Sequence, residues 1–201
     1  MNPALKARWK AVQHFLKITP DGDPGIRTVT AVEQAIGFTP ALPPVASLPD
    51  LLASILEAEV GTREVPMNSN RGPRVEQYQR ATGLGGTGWP WCAALICWGI
   101  REAGDQIPLP FARPTTAGAW DFERWAREQR LPIKKPYALS DLRRGDILVY
   151  TFSHIGVCTH PDPLETVEGN TDAAGSREGG GVYIKTTRTL SQIRSRIRLV
   201  P

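Results

Sequence analysis

The sequence predicts an α+β fold, with N-terminal helices packed on an antiparallel β-sheet and a small helical segment ahead of them. Three observations point to it. Apolar residues recur at helical spacing through the first half of the chain. From Gly145 the pattern changes to short runs rich in Val, Ile, Tyr and Thr. Short turns of Gly, Pro and Asp separate those runs, which implies antiparallel pairing. Helices first and such a sheet afterwards define the α+β class.

Leu5, Trp9, Val12 and Leu16 recur as the inner face of a first helix. Pro20-Asp-Gly-Asp-Pro-Gly25 is a turn, and Thr28 to Ile36 reads as a second short helix with Val29, Val32 and Ile36 inward. Thr39 to Pro49 carries four prolines among small residues, which suggests an extended linker. The organisation is therefore a helical segment over residues 1–40, a Pro-rich linker over 41–49 and a main domain over 50–201. A segment of about forty residues hardly builds a core alone, so it docks on the main domain or is a truncated module.

Asp50 is placed to cap a helix carrying Leu51, Leu52, Ile55 and Leu56, and Gly61 ends it. Asn68 to Pro73 is a polar loop, and Pro73 opens a helix to about Arg80. A long apolar run from Gly88 to Gly104 is the next helix, with Pro90 at its start and Gly104 at its stop. Ala117 to Gln129, with Trp120, Phe122 and Trp125, reads as helical. Strands are expected over Asp146 to Phe152, His154 to His160, Leu164 to Asn170, Gly181 to Thr186 and Ile193 to Val200.

The chain has 201 residues and a net charge of +4, which suits an anionic surface such as a bacterial envelope or a nucleic acid. Its basic residues are scattered, and no nucleic-acid module is visible, so no nucleic-acid partner is expected. No apolar run approaches a membrane span, and no membrane insertion is expected. The basic N-terminus lacks a following apolar core, so it does not read as a signal peptide. Three cysteines cannot all pair, and Cys92 and Cys97 do not share a helix face, so reduced thiols are expected.

The chemistry concentrates at Trp91-Cys92-Ala93-Ala94. A cysteine in the first turn of a helix meets free backbone N–H groups and the positive dipole end, which favour a thiolate. Such a thiol becomes a nucleophile if a histidine reaches it in space. Ser153-His154-Ile155-Gly156-Val157 supplies His154, and Glu168-Gly169-Asn170 supplies two groups that can orient its imidazole. Cys97 and Cys158 read as core thiols, and His14 and His160 as ordinary histidines. Trp89 and Trp91 flank the nucleophile and, with Trp120, are candidates for a substrate groove. The cysteines and histidines lack the close pairing of zinc sites, so no metal and no cofactor are expected.

Pro90-Trp91-Cys92-Ala93-Ala94, Gly145-Asp146 before a strand, His154-Ile155-Gly156-Val157 and Glu168-Gly169-Asn170, in that order, resemble the CHAP family (cysteine, histidine-dependent amidohydrolases and peptidases) over roughly residues 50–200. The resemblance implies a papain-like fold and cleavage of amide bonds in bacterial peptidoglycan. It implies Cys92 as nucleophile, His154 as general base and acid, and Glu168 as the first choice to hold the imidazole, with Asn170 a second orienting group or a substrate contact. Some relatives carry an acidic calcium loop before the nucleophile; Asn68 to Gly72 and Thr82 to Gly88 show no carboxylate cluster. Residues 5–37, with Val12-Gln-His-Phe-Leu16, the Asp-Gly turn, Thr28 and Ala31-Val32, resemble the repeat core of peptidoglycan-binding domains.

Together these imply a monomeric N-acetylmuramoyl-L-alanine amidase or peptide-stem endopeptidase, made in the cytoplasm and released to the cell wall by another factor, as a phage or prophage endolysin is. A secretion-system effector of the same chemistry is the first alternative. A non-catalytic wall-binding protein and a cysteine acyltransferase or deamidase are the others. Specificity is expected in loops such as Pro108 to Thr116.

Overall fold

The chain divides into two units, residues 1–45 and 46–201. The computed structural model describes residues 3–20, 28, 31, 32, 35 and 47–199. In the first unit, α1 (Pro3–Phe15) has its buried position at Gln13, whose Nε2 donates to the Thr28 hydroxyl at 2.8 Å. Val12, expected inward, is exposed instead. The inner stripe runs through Trp9, Gln13 and Leu16, because a hydrogen-bonded polar pair takes the place of an apolar contact. Positions 28, 31, 32 and 35 are helical, with Val32 half-buried; Val29, Ile36 and the turn over 21–25 lie outside the described residues.

The second unit opens with α2 (Leu48–Glu57). Its cap is Ser47, not Asp50: the Ser47 hydroxyl accepts from the Asp50 backbone N–H at 3.3 Å and donates to its carboxylate at 2.6 Å. Asp50 is thus the third residue of the helix, bound to the capping hydroxyl rather than supplying it. Leu48 and Pro49, read as linker, belong to the first turn, where proline loses no intrahelical bond. Next come α3 (Pro73–Gln79), α4 (Cys92–Gly104) and α5 (Asp121–Glu128). Trp120 precedes α5 rather than lying within it.

The sheet comprises β1 (Ile133–Lys134), β2 (Ile147–Tyr150), β3 (Ile155–Pro161), β4 (Leu164–Thr171), β5 (Gly181–Lys185) and β6 (Ile193–Ile197). Their order is β1-β6-β2-β3-β4-β5, and every neighbouring pair is antiparallel. The architecture is α+β. The two-residue β1, which pairs with β6, is too short to leave a periodic signal in the sequence.

Strand alternation divides the apolar residues between two faces. Ile147, Val149, Ile155, Val157, Val167 and Ile197 join the core that contains α2 and α4. Leu148, Tyr150, Cys158, Leu164 and Ile193 form a smaller cluster on the other face. Helix α4 is buried at every residue from Cys92 to Ile100, which explains its apolar composition on all sides. Its approach to the sheet depends on Gly169, where a Cβ would lie 2.7 Å from both Leu95 and Trp91. Replacing Gly169 with valine should lower unfolding free energy by about 1–3 kcal/mol, by overpacking this contact. Urea unfolding followed by tryptophan fluorescence reads it, and an unchanged midpoint would contradict so tight an approach.

Candidate active site

Cys92 is the first residue of α4, with Trp91 as its cap. The cysteine N–H has no acceptor inside the helix, so it is free to receive an oxyanion. Two buried side chains hold the entry segment: Trp91 Nε1 donates to Glu64 at 2.8 Å, and Gln79 Nε2 donates to the Trp89 carbonyl at 2.8 Å. Trp91 also stacks on Tyr78, with ring centroids 5.5 Å apart.

His154 lies immediately before β3 and is fully buried. Its ring stacks near-parallel with Tyr150 and Phe152, each centroid 5.9 Å away. Nε2 meets the Glu168 carboxylate at 3.0 Å. In the neutral ring this fixes the proton on Nε2 and leaves Nδ1 as the basic nitrogen. Nδ1 is buried and closes no hydrogen bond with the described residues, while Cys92 lies near enough to act on the ring. Burial alone would push His154 down, but Cys92 beside the ring and Glu168 outweigh that and raise it to about 9.

Glu168 is saturated with donors. Tyr150 Oη donates at 2.7 Å and Thr166 Oγ1 at 2.8 Å, and Arg188 reaches it through Nε at 2.9 Å and Nη2 at 2.5 Å. Burial pushes its carboxyl up, but Arg188 and His154 dominate and hold it well below the usual carboxylate range. Burial and the Glu168 charge push the Tyr150 phenol well up, so it stays a neutral donor. Gly156 leaves the room required, since a Cβ there would come within 2.6 Å of Glu168 Cγ. The histidine, glycine and glutamate of the two motifs are therefore one packed unit.

The remaining sequence candidates are placed differently. Asn170 makes no hydrogen bond to His154; its Nδ2 donates to the Arg177 carbonyl at 3.0 Å. The register of β4 against β5 shifts between Glu168 and Thr171, and Asn170 has φ +56°, so simple strand alternation does not keep it on the face of Glu168. Trp91 is fully buried and presents no groove surface, which corrects its reading as a substrate contact. Trp120 is exposed, but its Nε1 donates to the Tyr150 carbonyl at 3.0 Å and Arg194 lies over its ring; it does not line the cleft. Trp89 does line it.

That cleft encloses about 230 Å³, with Cys92 in its wall beside Leu84, Trp89, Ala119, Ser153 and Arg177. Its other wall is the stretch over residues 117–119, rather than Pro108 to Thr116. Sequence reasoning missed Arg188, Tyr150, Thr166 and Arg177. Tyr150 was accessible only through the turn, where its N–H donates to the His154 carbonyl at 3.1 Å. Arg188 lies in Thr186-Thr187-Arg188-Thr189, which carries no pattern. Among the described residues no group of three or more His, Cys, Asp or Glu gathers as a metal cage, and no helix is long and apolar enough to cross a membrane. Comparison with protein-family models, with curated proteins and with solved structures finds no match for this chain.

Of the three thiols only Cys92 lines the cleft. Burial pushes Cys97 and Cys158 each up to about 12, and Cys97 also donates to the Thr116 carbonyl. Iodoacetamide near neutral pH should label Cys92 about a hundredfold faster than either. Peptide mass spectrometry reads this, and comparable labelling of Cys97 or Cys158 would contradict the arrangement.

The paired shifts also set a stability window. Glu168 is lowered from 4.5, so its contribution is full above that value and lost as pH falls through the lower one. His154 is raised from 6.5 to about 9, so its contribution is full below 6.5 and lost as pH rises through 9. Going from about pH 6 to about pH 10 should therefore remove about 2–3 kcal/mol in urea unfolding, and less than half as much in Cys92→Ala, which removes the sulfur that helps raise the ring. Equal losses in the two proteins would disconnect Cys92 from His154.

Proposed function

We propose that the chain is a papain-like cysteine hydrolase of the CHAP type that cleaves amide bonds in bacterial peptidoglycan, as an N-acetylmuramoyl-L-alanine amidase or a peptide-stem endopeptidase. The observation that carries it is His154 held at Nε2 by a buried carboxylate, with Nδ1 left for the Cys92 thiol. A core histidine needs no ionised glutamate behind it and no cleft cysteine in front. The substrate class rests on the four ordered motifs and on the wall-binding resemblance of residues 5–37.

In the first half-reaction His154 Nδ1 takes the Cys92 thiol proton, and the sulfur adds to the amide carbonyl carbon. The oxygen becomes an oxyanion facing the Cys92 backbone N–H. On collapse the C–N bond breaks, His154 gives its proton to the leaving amine and a thioester remains. In the second half-reaction His154 takes a proton from water, the oxygen attacks the thioester, and carboxylate and thiol are released. Glu168 stays ionised throughout, balancing the imidazolium and fixing its tautomer. An endolysin is the reading that suits both the cysteine chemistry and the N-terminal resemblance.

Purified sacculi treated with wild type, Cys92→Ala and Glu168→Gln test this by mass spectrometry of released fragments. Wild type should free peptide stems from glycan, or split stems or cross-links. Cys92→Ala should release nothing, and Glu168→Gln should be slower by about 10²–10⁴. No release by wild type from several wall types would overturn the peptidoglycan reading.

A further inference from the structure

The loop over residues 172–180, between β4 and β5, is tied down from below by buried side chains. Asn170 Nδ2 donates to the Arg177 carbonyl at 3.0 Å, and Thr171 Oγ1 to the Ser176 carbonyl at 2.5 Å. Lys185 Nζ holds the carbonyls of Asp172 and Ala173, at 3.1 and 2.5 Å, and Arg188 Nη2 reaches that of Gly175 at 3.3 Å. All four donor residues are buried, and the last also grips Glu168. The loop backbone is thereby registered to the strand that carries Glu168.

Arg177 is the charged residue of this loop in the cleft wall, and among the described residues no other charged residue lines it. Only Nη2 is engaged, by Glu178 at 3.0 Å, in a pair whose side chains are 51% and 61% exposed. A pair that open to water is worth about 0–1 kcal/mol and is readily exchanged. Nε and Nη1 make no bond with the described residues. A planar fork with free donors, in the same cleft as the thiol, suits a carboxylate.

We propose that Arg177 forms an anion subsite beside Cys92, and that the preferred substrate carries a free carboxylate flanking the scissile amide. The proposal rests on the hydrolase reading and deepens it. Asn170 acts one step behind, by holding the Arg177 backbone in place.

The first test needs no substrate turnover. Rates of Cys92 alkylation by iodoacetate and by iodoacetamide are compared, since the reagents differ by a carboxylate in place of a carboxamide. The ratio of the two rates should fall about five- to tenfold in Arg177→Gln, be largely restored in Arg177→Lys and shrink with added salt. A ratio unchanged by Arg177→Gln overturns the subsite. The second test presents soluble muropeptides with free carboxylates, and the same material with those groups converted to carboxamides. Wild type should cleave the free acids about tenfold faster in kcat/KM, and Arg177→Gln should lose that preference. Equal cleavage of both by wild type overturns the subsite but leaves the hydrolase reading intact. Cleavage of neither, with the alkylation ratio still dependent on Arg177, refutes peptidoglycan as substrate while supporting an anion subsite at this thiol.

Discussion

An ionised carboxylate buried in the sheet is the constraint on which the rest of this unit depends. Removing Glu168 from water costs several kcal/mol unless its oxygens are matched by donors and its charge by a cation. Tyr150 closes β2, His154 precedes β3, Thr166 shares β4 with Glu168, and Arg188 follows β5. Matching one carboxylate therefore requires the whole central part of the sheet to be in register. The same requirement fixes the histidine's tautomer, so the fold and the state of the imidazole draw on a single cluster.

Cys92 is positioned by a separate constraint, the fit of α4. A helix buried on all sides cannot shift along the sheet without opening voids. Gly169 lets Leu95 and Trp91 approach β4, and Glu64 and Gln79 fasten the segment that leads into the helix. Trp91 thus contributes through burial and a hydrogen bond that aims the first turn, not through contact with a ligand. Glu168 and Gly169 are neighbours in sequence with opposite duties: one faces the imidazole, and the other lets the cysteine helix close down on the strand.

How far the sequence could be read depended on range. The strands and helices were legible because their periodicity is local, and Cys92, His154 and Glu168 because each sits in a short motif at an element end. Misreadings arose where a neighbour outside the window decided. Asp50 looked like a cap until Ser47 took that position, Asn170 looked aligned with Glu168 until the register of β4 shifted, and Trp91 looked like a groove wall until Tyr78 and Glu64 enclosed it. The two-residue β1 had no periodicity to read, and it exists because β6 offers it an edge.

By itself the sequence determined the α+β class, the order of the elements and the short motifs that hold Cys92, His154 and Glu168, because residue type and spacing carry that information. Only the tertiary structure decided where the arginines stand. Arg188 neutralises the buried carboxylate, and Arg177 stands in the cleft on a loop that Asn170 anchors. An arginine's role is set by what surrounds its guanidinium, and those surroundings come from strands remote in sequence that only the folded sheet brings together.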